Sequence, residues 1–156
     1  MSTTQKPIPA LPGWFTPVDG IGEPHLLGTR CLSCGSYFFP REKTACRNPA
    51  CGAATLEEVP LSRHGTLWSY TNAGYQPPDP FIPARLPFEP FALAAVELSV
   101  EKLCILGMVP HGICCADLKV GMQMELVIDT LHEDAEHRYL TWKWRPSALS
   151  STGKSP

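Results

Sequence analysis

The segment 30–52, RCLSCGSYFFPREKTACRNPACG, decides how the chain folds, because it holds four of the seven cysteines as two close pairs. Two residues separate Cys31 from Cys34, and four separate Cys46 from Cys51. Two tight turns that each present two thiolates supply the tetrahedral set of soft ligands that zinc prefers. The spacing therefore predicts a structural zinc ribbon, with iron as the alternative metal for the same thiolates.

Clustered cysteines can also form a disulfide framework or a redox site, and both fit this sequence less well. Disulfide frameworks belong to oxidising compartments, whereas the N-terminal MSTTQKPIPALPGWF has no apolar run suited to a signal peptide, and no segment approaches membrane-spanning length. We therefore expect a cytoplasmic protein with no membrane association. A thioredoxin-like site needs a CxxC pair that opens a helix, but CLSCGSYFFP continues into aromatic residues and proline.

The rest of the chain has the pattern of short β-strands. SRHGTLWSYTNA predicts one strand, FALAAVEL and KLCILGMV predict a hairpin, and QMELVIDTL and RYLTWKW alternate apolar with polar residues. So few strands favour a small closed or nearly closed barrel, since closure removes exposed edges. We expect Trp142 and Trp144 to lie in its core with Leu140, and Cys104 to be buried there as well.

Four regions follow in order along the chain. Residues 1–25 form an N-terminal extension, mobile up to residue 13, in which Trp14 and Phe15 anchor a short helix or turn on the ribbon. Residues 26–57 form the ribbon, 58–146 the barrel and 147–156 a flexible polar tail.

The segment 75–90, YQPPDPFIPARLPFEP, has six prolines and predicts a long surface loop. It carries Tyr75, Phe81, Arg85 and Phe88. These side chains either pin the irregular loop to the barrel or form a surface for a partner, since aromatic residues and arginine are common interface anchors.

No sequence motif typical of catalysis is present. The chain lacks a Rossmann fingerprint, a Walker-type phosphate loop, H-E-x-x-H and G-x-S-x-G. Cys114 and Cys115 lie near His111, but GICCADL is apolar and has no neighbouring cation to activate a thiol. We therefore predict no catalytic residue in this chain.

The ribbon carries a basic patch of Arg30, Arg41, Lys43 and Arg47 around Glu42. Such a patch suits phosphate groups. The net charge of −2 and isoelectric point near 6.2 give no broad basic surface to extend it. A small anionic ligand, or none, therefore fits the charge best.

A nucleic-acid-binding module is an alternative function for a zinc ribbon joined to a barrel. In such a module Trp68, Tyr70, Trp142 and Trp144 would stack on bases along a basic groove. The acidic balance of the chain argues against it, so nucleic acid is the weaker candidate.

Taken together, RCLSCGSYFFPRE, the second cysteine pair, GTLWSYT, PFALAAVEL, KVGMQMELV and WKWRP resemble the thiolase-associated zinc-ribbon/OB-fold family over residues 14–146. The resemblance implies a mainly β fold with a short N-terminal helical segment, a rubredoxin-like zinc ribbon and a C-terminal OB-fold barrel. It assigns the zinc to Cys31, Cys34, Cys46 and Cys51. The second pair, with RNPA inside it, is more widely spaced than the C-x2-C that is frequent in the family.

The resemblance also implies a function. Family members are accessory subunits of thiolase-fold proteins that hold the catalytic cysteine, and they help shape the site for acyl-coenzyme A (CoA). With its LTWKWRP ending, the chain resembles the small subunits that serve thiolysis of benzoylsuccinyl-CoA in anaerobic toluene degradation; a steroid side-chain aldolase subunit is the alternative. We expect a hetero-oligomer in which Arg41 and Lys43 face the CoA thioester and the proline-rich loop faces the partner.

Overall fold

A computed structural model describes residues 4–17 and 22–147. Within them, one short 3-10 turn, Cys115–Asp117, is the only helical element. The strands are β1 (Lys6–Pro9), β2 (Leu27–Cys31), β3 (Tyr37–Phe38), β4 (Leu56–Pro60), β5 (His64–Ala73), β6 (Phe91–Leu98), β7 (Leu103–Met108), β8 (Gln123–Glu133) and β9 (His137–Pro146).

The strands make two sheets. β2 lies between β3 and β4 in an antiparallel sheet of three strands, which is the ribbon. The second sheet has the order β1-β9-β7-β6-β5-β8, and β8 also pairs with β9, so β5 to β9 close into a barrel. The barrel strands are joined by antiparallel pairs except at β7 and β9, which meet in parallel at Met108 and Lys143. The predicted mainly β fold with a closed barrel is confirmed.

The barrel interior is filled by apolar side chains that alternate along the strands. Leu67, Val96, Leu126 and Trp144 are fully buried there. Gly107 on β7 makes room for the largest of them, because a Cβ at this position would lie 2.7 Å from Cδ1 of Trp144. Trp144 and Leu140 thus occupy the predicted core, and Trp142 packs against its edge.

Aromatic residues join three parts of the chain at this edge. Trp14 from the N-terminal segment stacks on Trp142 at 5.7 Å between ring centroids, and Phe39 from the ribbon meets both rings edge-on. Arg63 also connects the segment before the ribbon to the barrel, since its guanidinium donates to the carbonyl oxygens of Pro24 and Leu126. Ribbon and barrel are therefore packed together rather than loosely linked.

Three predictions about the chain are wrong. The described part of residues 1–25 has no helix: β1 pairs in parallel with β9, and a turn leads to Trp14. The sequence pattern does not predict this strand, because Pro7 and Pro9 argue against a central strand. An edge strand, such as β1, tolerates proline. Cys104 is exposed, because it pairs with the outward-facing Glu97 on β6. Ser147, assigned to the tail, is buried and its amide donates to Gln123, while residues 148–156 lie outside the described part.

Candidate functional site

The four ribbon cysteines sit on two chain turns that face each other. Cys31 ends β2, and the amide of Gly35 closes the first turn by donating to the Cys31 carbonyl at 2.9 Å. The amide of Gly52 closes the second by donating to Asn48. Both glycines have positive φ, 78° and 64°, a conformation that costs other residues energy. Sequence-local turns thus bring the sulfurs to one point.

The sulfur geometry fits a tetrahedral metal. All four Sγ atoms lie within 4.8 Å of one another, with Cys31 3.8 Å from Cys51 and Cys34 3.5 Å from Cys46. Four sulfurs at about 2.3 Å from a zinc ion would be about 3.8 Å apart. The donor set therefore suits a structural zinc ion with no open position for a substrate or reactive water.

The thiols differ in how readily they ionise. The hydroxyl of Ser36 and its backbone amide lower the pKa of the Cys34 thiol to about 6. Burial raises the pKa of Cys46 to about 12. A metal ligand must be deprotonated, so zinc binding releases at least the Cys46 proton, and occupancy should fall in acid.

Two of the four cations in the basic patch on the ribbon are neutralised by neighbouring glutamates. Arg41 forms an ion pair with Glu58, and Arg47 forms one with Glu42. Lys43 is exposed and makes no ion pair with any residue in the described ranges. A shallow depression beside it is lined by Arg41, Lys43 and three glutamates. Arg30 is also exposed and lies over the Tyr37 ring, so Lys43 and Arg30 are the two patch cations that no carboxylate in the described ranges pairs with.

The proline-rich loop is pinned to the barrel by some of its side chains and exposes others. Phe81 stacks on Phe91 at 6.1 Å between centroids, and Phe88 meets both rings edge-on, which leaves each of the three side chains only partly exposed. In contrast, Leu86 is 82% exposed and Tyr75 is 77% exposed. The phenylalanines therefore hold the loop on the barrel, while Leu86 and Tyr75 face solvent. A contact between the loop and a partner stays a prediction.

A cavity of about 90 Å³ lies between this loop and the outer wall of the barrel. Phe81, Phe91 and Ile113 give it apolar walls, and Arg85 and Lys143 also line it. The side chain of Lys143 is only 8% exposed, and its Nζ lies 3.2 Å from Oδ2 of Asp129. The strand pattern placed Lys143 on the outward face, opposite Trp144. It is nevertheless buried, since the loop and the segment 108–113 line the cavity together with it.

Cys114 and His111 contact different side chains in the structure. The Cys114 thiol donates to Asp117 at 3.4 Å, and Nδ1 of His111 lies 3.6 Å from Glu89. The two groups thus have different partners, and the arrangement does not resemble a nucleophile with its base.

The aromatic residues considered for base stacking are mostly unavailable. Trp144 is fully buried, and Trp142 is covered by Trp14 and Phe39. Of the four candidates, Trp68 alone is clearly exposed, at a bulge in β5. A single stacking side chain on an acidic chain does not make a nucleic-acid groove.

A rubredoxin-like zinc ribbon followed by an OB-fold barrel is the class that this geometry defines. Residues 18–57 match the family described as the ChsH2 rubredoxin-like zinc ribbon domain, and residues 58–129 match the ChsH2 C-terminal OB-fold domain. The chain therefore belongs to the ChsH2-type, or DUF35, family, and the resemblance noted from the sequence is confirmed. Among the described residues, no helix is long and apolar enough to cross a membrane.

Particular relatives are similar over most of their length. A DUF35 domain-containing scaffold protein of Methanocaldococcus jannaschii is 30% identical over 77% of this chain and 79% of the relative. The benzoylsuccinyl-CoA thiolase subunit BbsA of Thauera aromatica is 31% identical over 77% of this chain and 74% of that subunit. The solved Ltp2-ChsH2(DUF35) aldolase contains a chain with 28% identity and a TM-score of 0.56, over 78% of this chain and 84% of that one.

Proposed function

We propose that this protein is an accessory subunit of a thiolase- or aldolase-type complex that makes or breaks a carbon–carbon bond in a CoA thioester. The observation that carries the proposal is a stiff loop with large exposed apolar side chains, on a chain whose relatives are named as subunits of a thiolase and an aldolase. In this role the catalytic nucleophile comes from the partner, and this chain stabilises that partner and shapes the acyl-CoA site.

The loop is built for docking with little loss of entropy. Its prolines restrict the free state, and the cluster of Phe81, Phe88 and Phe91 holds its base on the barrel. Less ordering therefore remains to be done on association. Tyr75, Arg85 and Leu86 then form the surface that meets the partner, because exposed leucine and tyrosine gain most from burial.

The ribbon supplies the contact with CoA in this proposal. Lys43 is exposed and unpaired within the described chain, and Arg41 lies beside it, so a phosphate of CoA can replace or share the glutamate partner of Arg41. Four zinc-bound thiolates need a reducing environment, which supports a cytoplasmic location.

The proposed substrate is benzoylsuccinyl-CoA, cleaved by thiolysis in anaerobic toluene degradation, and the alternative is a steroid side-chain substrate. Support for the first comes from the BbsA relatives. The archaeal scaffold protein is similar to nearly the same degree, so identity alone does not decide the acyl group.

Capture of the tagged chain from its native source tests assembly. We expect a thiolase-fold protein to co-purify in constant ratio, and recovery without one contradicts the proposal. With the complex in hand, Leu86→Ala should weaken association by about 1–3 kcal/mol, measured by calorimetry. Val120→Ala is the matched control, because Val120 is also exposed but lies outside the loop. In the same complex, Lys43→Ala should raise the KM for the CoA thioester and leave assembly unchanged.

A further inference from the structure

The cavity under the proline-rich loop combines apolar walls with a buried lysine, Lys143. Neither zinc binding nor assembly explains this combination. We propose that the cavity is a binding site for the carboxylate of a short-chain acid, with Lys143 as the anchoring cation. The carboxylate comes either from a free acid or from the far end of an acyl-CoA. The site belongs to the isolated chain, so the proposal does not rest on assembly with a catalytic subunit.

The first argument is the position of the ammonium group. Lys143 lines the cavity and is 8% exposed, whereas Asp129, its ion-pair partner, is 46% exposed and does not line the cavity. The carboxylate of Asp129 is thus hydrated and screened, while the lysine is held where the effective dielectric is low. The ammonium is therefore shielded from water and compensated by Asp129 alone, so an incoming carboxylate shares it with Asp129.

The second argument is the unused hydrogen-bonding capacity of the same group. An ammonium has three N–H donors. Within residues 4–17 and 22–147, Asp129 takes the one hydrogen bond that Nζ of Lys143 makes. Two donors remain for a ligand, which matches the two oxygens of a carboxylate.

The third argument is the size and lining of the space. About 90 Å³ is several times the space that one water molecule needs. This suits a short-chain acid and lies well below the roughly 300–1,000 Å³ of pockets for larger ligands. Phe91, Val109 and Ile113 line it and suit the hydrocarbon part.

The exposed part of the cavity lining carries one carboxylate, Glu89, beside Arg85 and His111. Arg85 and His111 both lie near a single oxygen of Glu89, Oε2, at 3.9 and 3.6 Å. These contacts are longer than good hydrogen bonds, and all three side chains are more than half exposed. Arg85 therefore keeps donors for a second polar group at the entrance.

The experiment compares butyrate with butyramide, which has the same shape without the charge. The zinc-loaded full-length chain is titrated with each, while the methyl signals of Val109, Ile113 and Leu131, which line the cavity, are followed by NMR. We expect saturable shifts confined to these methyl groups, with butyrate binding at least tenfold more tightly than butyramide. Equal affinity for the two probes, or shifts centred elsewhere, overturns the proposal.

Variants assign the preference to one residue. Lys143→Met keeps the length of the side chain and should abolish the preference for butyrate; Lys143→Arg should keep it. Lys119→Met is the control for loss of an exposed charge and should bind as the wild type does. If the Lys143→Met protein does not fold, Lys143→Gln serves as the uncharged variant. An intact preference in either uncharged variant overturns the proposal.

A second pair of probes identifies the source of the carboxylate. Succinyl-CoA ends in a carboxylate where butyryl-CoA ends in a methyl group. Tighter binding of succinyl-CoA, lost in the uncharged variant, supports the site and assigns it to an acyl thioester. Equal binding of the two thioesters, with the butyrate preference intact, supports the site as one for a free acid.

Discussion

The ribbon and the barrel are stabilised by different means, although both are β-structures of one chain. The ribbon strands are only five, two and five residues long, and two of the buried side chains within the ribbon are the cysteines Cys31 and Cys46. The barrel strands are 6 to 11 residues long and enclose Leu67, Leu126 and Trp144. A segment too small to bury a core thus depends on metal ligation, and a larger one depends on apolar burial.

Removing a metal ligand should have the largest effect. Cys46→Ser leaves three thiolates, and apparent zinc-binding energies of about 10–16 kcal/mol in small zinc domains are also folding energies. We expect loss of zinc, unfolding of the ribbon and aggregation through the exposed junction. Metal analysis should give about one zinc per wild-type chain and much less in the variant.

Cys104→Ser provides the control, because Cys104 is an exposed thiol outside the ribbon. It should retain full metal content and the wild-type melting temperature. Full zinc content in Cys46→Ser would remove Cys46 from the ligand set.

A substitution in the barrel core should lower stability without loss of zinc, the opposite of the result expected for a ligand substitution. Leu126→Ala in β8 creates a cavity beside Trp144, and such changes cost about 2–5 kcal/mol. We expect a lower free energy of unfolding in denaturant titrations with zinc content unchanged below the transition. Loss of zinc in this variant under native conditions would show that the two regions fold as one unit.

The smallest expected effect is on how the stability of the fold changes with pH. Asp134 in the β8–β9 turn accepts hydrogen bonds from the amides of His137 and Glu136 and from the Tyr139 hydroxyl, and these bonds lower the pKa of its carboxyl group. Because the folded-state pKa is depressed, the stabilisation is complete above the unfolded pKa of about 3.9 and disappears as pH falls through the folded value.

Asp134→Asn should therefore be slightly less stable than the wild type at neutral pH, and the two proteins should converge in strong acid. Thermal melts across pH would show this convergence. Zinc should leave the ribbon at a higher pH than that of the convergence, since thiolates protonate before carboxylates. A constant difference between the two proteins down to strong acid would contradict the role given to the carboxylate.

Local patterns in the sequence were enough for most of the architecture. Ligand spacing predicted where Cys31, Cys34, Cys46 and Cys51 meet, because each pair lies within one turn of the chain. Alternation predicted the barrel strands and the burial of Trp144, since the side-chain period of a strand is local.

Features that depend on distant segments could not be predicted in this way. The partner of β1 is β9, at the other end of the described chain, and nothing in KPIP indicates it. Lys143 is buried beside a loop about sixty residues earlier and the segment 108–113, so its strand pattern gave the opposite expectation. The exposure of Cys104 is a different case: the local alternation with Ile105, which points inward, was sufficient to predict it.

The parallel pairing of β1 with β9 also sets an order of events during synthesis. Gln5 contacts Asp134 across 129 residues of chain, so the barrel sheet holds both the earliest and the latest described strands. The ribbon lies between them in sequence and needs only local contacts and a metal ion. On the ribosome, the cysteine turns can therefore bind metal while the first strand still waits for its neighbour. Only after translation of β9 can the barrel close and the N-terminal segment find its partner strand.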